Sequence, residues 1–232
     1  MEENNIAIPR HIGYIVDGNR RWAKKYGLPT YEGHLAGYNA LRDVAFATLE
    51  AGVDFMSIYV FSTENWKRSQ EEVSNLMSLI LRLFTTDAKI FHEKNIRLKV
   101  LGMRDGLNKK ILNAIDALEE KTQDNSAGTL VVCLNYGGQR EIVDAVKKIV
   151  QSGVAAEAVD EDLIAENLYG GEVPPVDVIV RTSGEKRLSN FMLWRAAYSE
   201  FIFLDKMWPE MTKDDVTAII EEYTRRHRRF GG

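Results

Sequence analysis

The stretch HIGYIVDGNRRWAKKYG (11–27) decides how the rest of the chain is read. Its first half is almost continuously apolar, as a strand buried on both faces is, and it breaks at Asp17-Gly18, a pair suited to a tight turn. An acid, a glycine, an asparagine and two arginines then stand in succession at 17–21. A turn accounts for Asp17-Gly18 and solubility accounts for an arginine. Neither accounts for the cluster.

Outward from this stretch, similar apolar runs recur at FMSIYVFS (55–62), IRLKVLG (96–102), TLVVCLNY (129–136), VDVIVRT (176–182) and FIFLD (201–205). Segments of helical length separate them, which is the pattern of parallel strands joined by helical crossovers. The spacing predicts helices over 34–51, 70–93, 107–122, 139–151 and 212–228. In the first of these, Leu35, Tyr38, Leu41, Ala45 and Leu49 share one stripe and Gly52 stops the helix. With five prolines and no repeat, linker or low-complexity segment, residues 1–232 read as a single domain. Its class is α/β, a mainly parallel six-stranded central sheet flanked by helices.

The segment QEEVSNLMSLILRLFTTDAKIFHE (70–93) is apolar over a wider arc than a crossover helix needs. Val73, Leu76, Met77, Ile80, Phe84 and Phe91 make one face, while Leu79, Leu81, Leu83 and Ile90 spread beyond it. Such a band calls for burial on two sides, a subunit contact, or the wall of an apolar tunnel.

Lys and Arg number 30 against 34 Asp and Glu, a net charge of −4 that gives no global case for nucleic acid, so any anion site must be local. The single cysteine, Cys133, excludes an intrachain disulfide and reads as a small buried core residue. The polar start MEENNIAIPRH lacks the pattern of a signal peptide, and no apolar run approaches the ~20 residues of a membrane span. The expected location is cytoplasmic.

In open α/β sheets, ligands bind beyond the carboxyl ends of the strands. Three loops at that edge carry charge: Asp17 to Trp22, Ser62 to Arg68, and Arg181 to Asn190. Their chemistry suits a polyanion with a divalent cation. Arginine forks match phosphate oxygens, and Gly18 and Gly184 let backbone N–H groups approach an anion. Asp17 is placed to hold Mg²⁺, which binds through one or two carboxylates plus substrate phosphates. Glu185 reads as a salt-bridge partner of nearby arginines. Nucleotide fingerprints, a GxSxG elbow, zinc spacing among His11, His34, His92, His227 and Cys133, and a DDxxD box are all absent from the sequence.

HIGYIVDGNRRWAKKYG with the GHLAGY after it, FSTENWKR, LNYGGQREIVDA, DVIVRTSGEKRLSNFMLWRAAYSE and the terminal RRHRRFGG together resemble the cis-prenyltransferase family, in order and over about residues 9–232. The bacterial undecaprenyl diphosphate synthase branch is the nearest in pattern. The resemblance implies successive addition of isopentenyl diphosphate to an allylic diphosphate such as farnesyl diphosphate, with cis stereochemistry and Mg²⁺ as cofactor. By that resemblance Asp17 is the essential aspartate for Mg²⁺ and diphosphate. Gly18, Asn19, Arg20 and Arg21 cradle the allylic diphosphate, with Trp22 beside them and His34 serving the same site. Ser62, Thr63 and Glu64 match a substrate-contacting segment, Asn65 a residue that helps remove the proton, and Trp66 and Arg68 the rest of that loop.

Arg181, Arg187, Leu188 and Ser189 match the isopentenyl diphosphate site, and Glu200 a second Mg²⁺-related carboxylate. Arg229-Phe230-Gly231 match a tail that crosses a homodimer interface. The resemblance also implies a product near C55, and the basic run RRHRRF (225–230) reads as a solvated helix end, as a peripheral membrane contact suited to release of a lipid product, or as that dimer-crossing tail, the last being preferred. Two positions depart from the family pattern: Thr30 stands where an arginine is common, and Arg20 where glycine is common. Arg20 could compensate for Thr30. The rivals are a non-catalytic partner subunit of this fold, a phosphate-binding regulatory domain, and a short-chain cis synthase.

Overall fold

The computed structural model of the protein describes residues 8–226. Its six strands are β1 (His11–Ile15), β2 (Phe55–Ser62), β3 (Arg97–Leu101), β4 (Thr129–Tyr136), β5 (Val178–Arg181) and β6 (Glu200–Phe203). They form one sheet in the order β3-β4-β2-β1-β5-β6, and every adjacent pair is parallel. The chain therefore enters the sheet in the middle. β2 lies on one side of β1 and β5 on the other, with Ile15 in register with both Tyr59 and Arg181. This switch in strand order sets the loops after β1, β2 and β5 side by side at one edge.

Helices α1 (Asn19–Lys25), α2 (Thr30–Glu50), α3 (Gln70–Thr85), α4 (Ala88–Glu93), α5 (Lys109–Thr122), α6 (Gly138–Ser152), α7 (Glu161–Asn167) and α8 (Lys213–Arg225) connect and cover the strands. Alternation along β1 feeds two apolar layers. Ile12 and Tyr14 pack with residues of α2, α3, α5 and α8, whereas Ile15 joins Tyr59, Cys133, Ile179 and Phe191. Cys133 is fully buried in this second layer, as a core residue. None of the described helices is long and apolar enough to cross a membrane.

The helix predicted over 70–93 is two helices. Thr85 turns its hydroxyl back onto the Leu81 carbonyl (2.7 Å), and the Thr86 and Asp87 N–H groups both fall on the Arg82 carbonyl (2.9 and 3.2 Å). That overloaded acceptor ends α3, and the chain restarts as α4. The wide apolar band is buried on two sides, since α3 packs against both α2 and α5. α2 begins at Thr30 rather than 34, entered through Pro29, whose extended backbone (ψ 151°) leads into the first turn. The short helices α1 and α7 have no periodic apolar signal and are additions to the predicted set. The helix predicted over 212–228 runs from Lys213 to Arg225, and Arg226 has already left helical geometry (ψ 112°); residues 227–228 and Arg229-Phe230-Gly231 lie outside the described residues.

Candidate active site

β1 ends two residues before Asp17, and the backbone there is fastened to the loop after β5. The Thr182 hydroxyl accepts from the Asp17 N–H (3.0 Å) and donates to the Asp17 carbonyl (2.7 Å). The Asp17 carboxyl faces two guanidiniums: Arg181 Nη2 donates to Oδ2 at 2.9 Å and Arg21 Nη2 lies 3.2 Å from Oδ1. Burial acts to raise this carboxyl's pKa, but the hydrogen bond and charge of Arg181, then those of Arg21, outweigh it. The group is held below the ordinary aspartate range and is ionised at neutral pH. The Arg181 side chain is only 4% exposed, and it also donates to Ser189 Oγ (2.8 Å) and to the Arg187 carbonyl.

Gly18 has φ +104°, and a Cβ there would stand 2.8 Å from Ser183 Oγ, so a side chain would force the first loop off the third. Asn19 opens α1, which presses on α2 at two glycines. A Cβ on Gly33 would come within 2.1 Å of the Asn19 carbonyl oxygen, and one on Gly37 within 2.4 Å of Asn19 Oδ1. The glycines of EGHLAG thus permit a close helix crossing that sets His34 into the site. His34 Nε2 is 3.1 Å from Glu72 Oε1, which also accepts from Arg68 Nη1 at 2.9 Å. Burial depresses the His34 pKa by more than Glu72 raises it, so the ring is neutral at neutral pH. Its Nδ1 is buried without a protein partner.

Three spaces meet here. A cleft of about 780 Å³ is walled by Asp17, Gly18, Asn19, Arg20, Arg21, His34 and Arg68, and Thr30 also faces it. A second, of about 520 Å³, is walled by Asp17, Ser62, Glu64, Asn65, Arg68, Arg181 and Ser189. Asp17, Arg68 and Val16 belong to both. An apolar slot of about 60 Å³ between α2, α3 and β2 adjoins the first cleft at Val16, Asn19 and His34. Two polyanions could therefore lie on either side of one carboxylate, the first with a hydrocarbon directed between the helices.

A family described as "Putative undecaprenyl diphosphate synthase" matches residues 15–231 of the chain. An isoprenyl transferase of Thermotoga maritima is 44% identical over 229 residues, spanning 98% of this chain and 98% of the relative. One of Streptococcus mutans is 47% identical over 97% of this chain and 94% of its own. The chain belongs to the undecaprenyl diphosphate synthase family. Its solved neighbours are cis-prenyltransferases of the same fold. The lavandulyl diphosphate synthase of Lavandula x intermedia, in complex with dimethylallyl diphosphate, superposes with a TM-score of 0.94 at 30% identity, over 97% of this chain and 99% of that one. A "probable undecaprenyl diphosphate synthase" of Campylobacter jejuni gives 0.82 at 29% identity, with both chains fully covered. The protein is thus a prenyltransferase enzyme of the chain-elongating kind.

Within this undecaprenyl diphosphate synthase fold, most of the predicted residues gather on the two clefts, and several do not. Asn65 is a cleft wall and also a local brace, its Oδ1 accepting the Ser62 N–H at 3.1 Å. Thr63 Oγ1 packs at Gly137, where a Cβ would lie 3.0 Å away. The Trp66 indole points elsewhere, donating to Asn135 Oδ1 at 2.8 Å and stacking edge-on with Phe61. Trp22 packs on Tyr26 with ring centroids 4.9 Å apart rather than walling a cleft. Leu188 packs on the second apolar layer, and the exposed Arg187 pairs with Glu185. Glu185 also reaches Arg21 at 3.1 Å, the salt-bridge role read from the sequence.

Glu200 is placed at the other end of the sheet. It opens β6, level with Val178 and hence with Ile12, and binds Arg226 at 3.0 Å. Within this chain it cannot share an ion with Asp17, because β5 and β6 run parallel and its register puts it at their amino ends. Three contributors escaped the sequence. Asn190 accepts the Gln139 N–H (2.8 Å) and points Nδ2 at Glu64 (3.4 Å) across the second cleft. Thr182 locks Asp17, and Glu72 joins His34 to Arg68. The i, i+4 spacing of Arg68 and Glu72 is the signal that could have found the last.

Proposed function

We propose that the first cleft holds the diphosphate of an allylic substrate, farnesyl diphosphate in the simplest case, with its tail in the apolar slot. The second holds isopentenyl diphosphate. Repeated cis addition then yields a long polyprenyl diphosphate, with undecaprenyl diphosphate as the expected product. The observation that carries this is the sharing of Asp17 and Arg68 by two polar clefts, of which the first adjoins the slot.

Departure of the allylic diphosphate concentrates charge on its oxygens. Arg20 and Arg21, with the Gly18 backbone, stand where that charge develops. His34 and Asn19 mark the boundary between cleft and slot, where the reacting carbon would lie. Arg68, held by Glu72, is positioned to touch both diphosphates. Asn65 has a carboxamide, which is no base at neutral pH, so it orients the proton acceptor rather than serving as one.

Mg²⁺ fits this donor set through Asp17. The ion takes one or two carboxylates and completes its shell with phosphate oxygens and water, and the described residues include no cluster of three or more acidic, His or Cys ligands. Bound there, it would neutralise diphosphate charge during ionisation. Glu200 would enter such a shell only from another chain. A homodimer, on the strength of the family resemblance, a cytoplasmic location, and a membrane contact at product release suited to the basic run RRHRRF complete the proposal.

A second reading, a short-chain synthase, is favoured by the slot itself. Its 60 Å³ is room for about two waters, not for a chain of tens of carbons. Incubation with Mg²⁺, farnesyl diphosphate and labelled isopentenyl diphosphate, followed by sizing of the extracted lipid, separates the two. Long label-bearing polyprenyl chains support the first reading. A product of one or two additions supports the second, and no incorporation from folded protein would overturn both.

A further inference from the structure

Beyond its boundary with the first cleft at Asn19 and His34, the apolar slot is lined by one side chain that carries a hydroxyl. Tyr38 lies one helical turn beyond His34 on α2, about 6 Å further along the axis, and lines the slot with Leu41, Ile80 and Leu83. Its ring is buried, and its hydroxyl donates to Oδ2 of Asp87, which is itself 2% exposed. Asp87 occupies the break between α3 and α4. The guanidinium of Arg82, from the last turn of α3, lies 5.3 Å from the Tyr38 ring centroid, within the range of a cation–π contact. A hydrogen bond to a buried carboxyl and a cation on the ring thus tie α2 to the α3–α4 joint beside an otherwise apolar space.

A growing hydrocarbon must enlarge the slot, since its present volume holds about two waters. The walls free to part are helices α2 and α3: another wall is the hydrogen-bonded sheet, and Trp208, which also lines the slot, is fastened to α2 by its indole N–H on the Gly37 carbonyl (2.8 Å). Breaking the Tyr38–Asp87 bond without replacement would strand a buried carboxyl, so separation is resisted where the strap sits. We infer that the Tyr38–Asp87 strap limits how far α2 and α3–α4 separate, and so sets the length of the hydrocarbon product. This deepens the proposed function and rests on the slot being the chain-binding site. Tyr38 is here a specificity-determining residue: it makes no contact with the diphosphate clefts.

Two readouts test it on the full-length enzyme, one without turnover. Amide exchange over residues 80–93 reports the strap directly, and product sizing reports its consequence. Y38F removes the hydroxyl and keeps the ring, D87A removes the acceptor, and D87N keeps an acceptor. The expected result is exchange over 80–93 raised at least several-fold in Y38F and D87A, with products longer by one or more five-carbon units. D87N should stay close to the parent enzyme in both. Unchanged exchange and unchanged product length in folded Y38F would overturn the strap, even with an active enzyme. Absence of any polyprenyl product from the parent would instead overturn the proposed function. In that case the exchange arm still decides whether the strap exists.

Discussion

Arg181 Nη2 sits 2.9 Å from Asp17 Oδ2, joining the ends of two adjacent parallel strands through a guanidinium that is almost wholly buried. Asp17 walls both clefts and Arg181 walls the second. The pair therefore does two jobs: it keeps the carboxyl ionised, and it fixes the separation of the loops after β1 and β5. Replacing Asp17 with Asn should lower turnover by about 10²–10³-fold, on the scale of losing one preorganised electrostatic group. It should also lower stability, because Arg181 loses its charge partner in a buried setting. Steady-state kinetics with a urea titration would check both. Full activity in D17N would remove Asp17 from the chemistry.

The α1–α2 crossing gives a steric prediction. In G33A the new methyl would collide with a backbone oxygen, that of Asn19, at 2.1 Å. Backbone cannot swing aside as a side-chain tip can, so a loss of at least about 1–3 kcal/mol is expected, with Asn19 displaced from the cleft. Denaturant midpoints of G33A and the exposed control G27A should differ clearly, since a Cβ at Gly27 meets nothing within 4 Å. The positive φ of Gly27 (+67°) will cost G27A something of its own. A G33A protein as stable as the parent would show that the crossing is looser than described.

Glu72 receives both His34 and Arg68 on one oxygen. The change E72Q keeps the shape and removes the charge, so Arg68 should lose its fixed position between the clefts. The expectation is a fall in kcat/KM of about tenfold or more, with stability changed by no more than ~1–2 kcal/mol, since the Arg68–Glu72 bond is partly solvated. Equal kinetics for E72Q and the parent would make Glu72 a bystander.

His11, at the start of β1, is fully buried between the Ser57 hydroxyl (2.7 Å from Nε2) and the Pro174 carbonyl (2.9 Å from Nδ1). Burial lowers its pKa to about 4 against 6.5 in the unfolded chain. The unfolded state therefore takes up a proton first as pH falls. The stability tied to the neutral ring is complete above about pH 6.5 and is lost progressively between 6.5 and 4, a total of about 3 kcal/mol. Urea midpoints of the parent should drop over that window, and those of H11Q should drop less. Parallel pH profiles for the two would contradict the assignment.

Much of this was legible in the chain because several signals agreed. The runs at 11–17, 55–62 and 176–182 are apolar on both faces and lead into charged loops, and a parallel sheet with central β1 brings those loops together. Less was legible where a tertiary partner decides. Nothing local tells that Trp66 turns to Asn135 while its loop neighbours Glu64, Asn65 and Arg68 wall the second cleft. Glu200 looks like another site carboxylate until register sets it level with Ile12. The break at Thr85-Thr86-Asp87 depends on one carbonyl receiving two donors, a detail that hydrophobic periodicity does not carry. Asn190 and Thr182 act through hydrogen bonds to distant backbone, which spacing cannot foretell.

In the proposed function, one chain offers two diphosphate sites that meet at Asp17. Calorimetric titration with a non-ionisable allylic diphosphate analogue and with isopentenyl diphosphate, each alone and each in the presence of the other at saturation, tests it most directly. Both ligands should bind together, one of each per chain. R20A should weaken the allylic analogue alone, and S189A isopentenyl diphosphate alone. Mutual exclusion of the two ligands, with both variants affecting them equally, would mean a single anion site and would contradict two diphosphate sites in one chain.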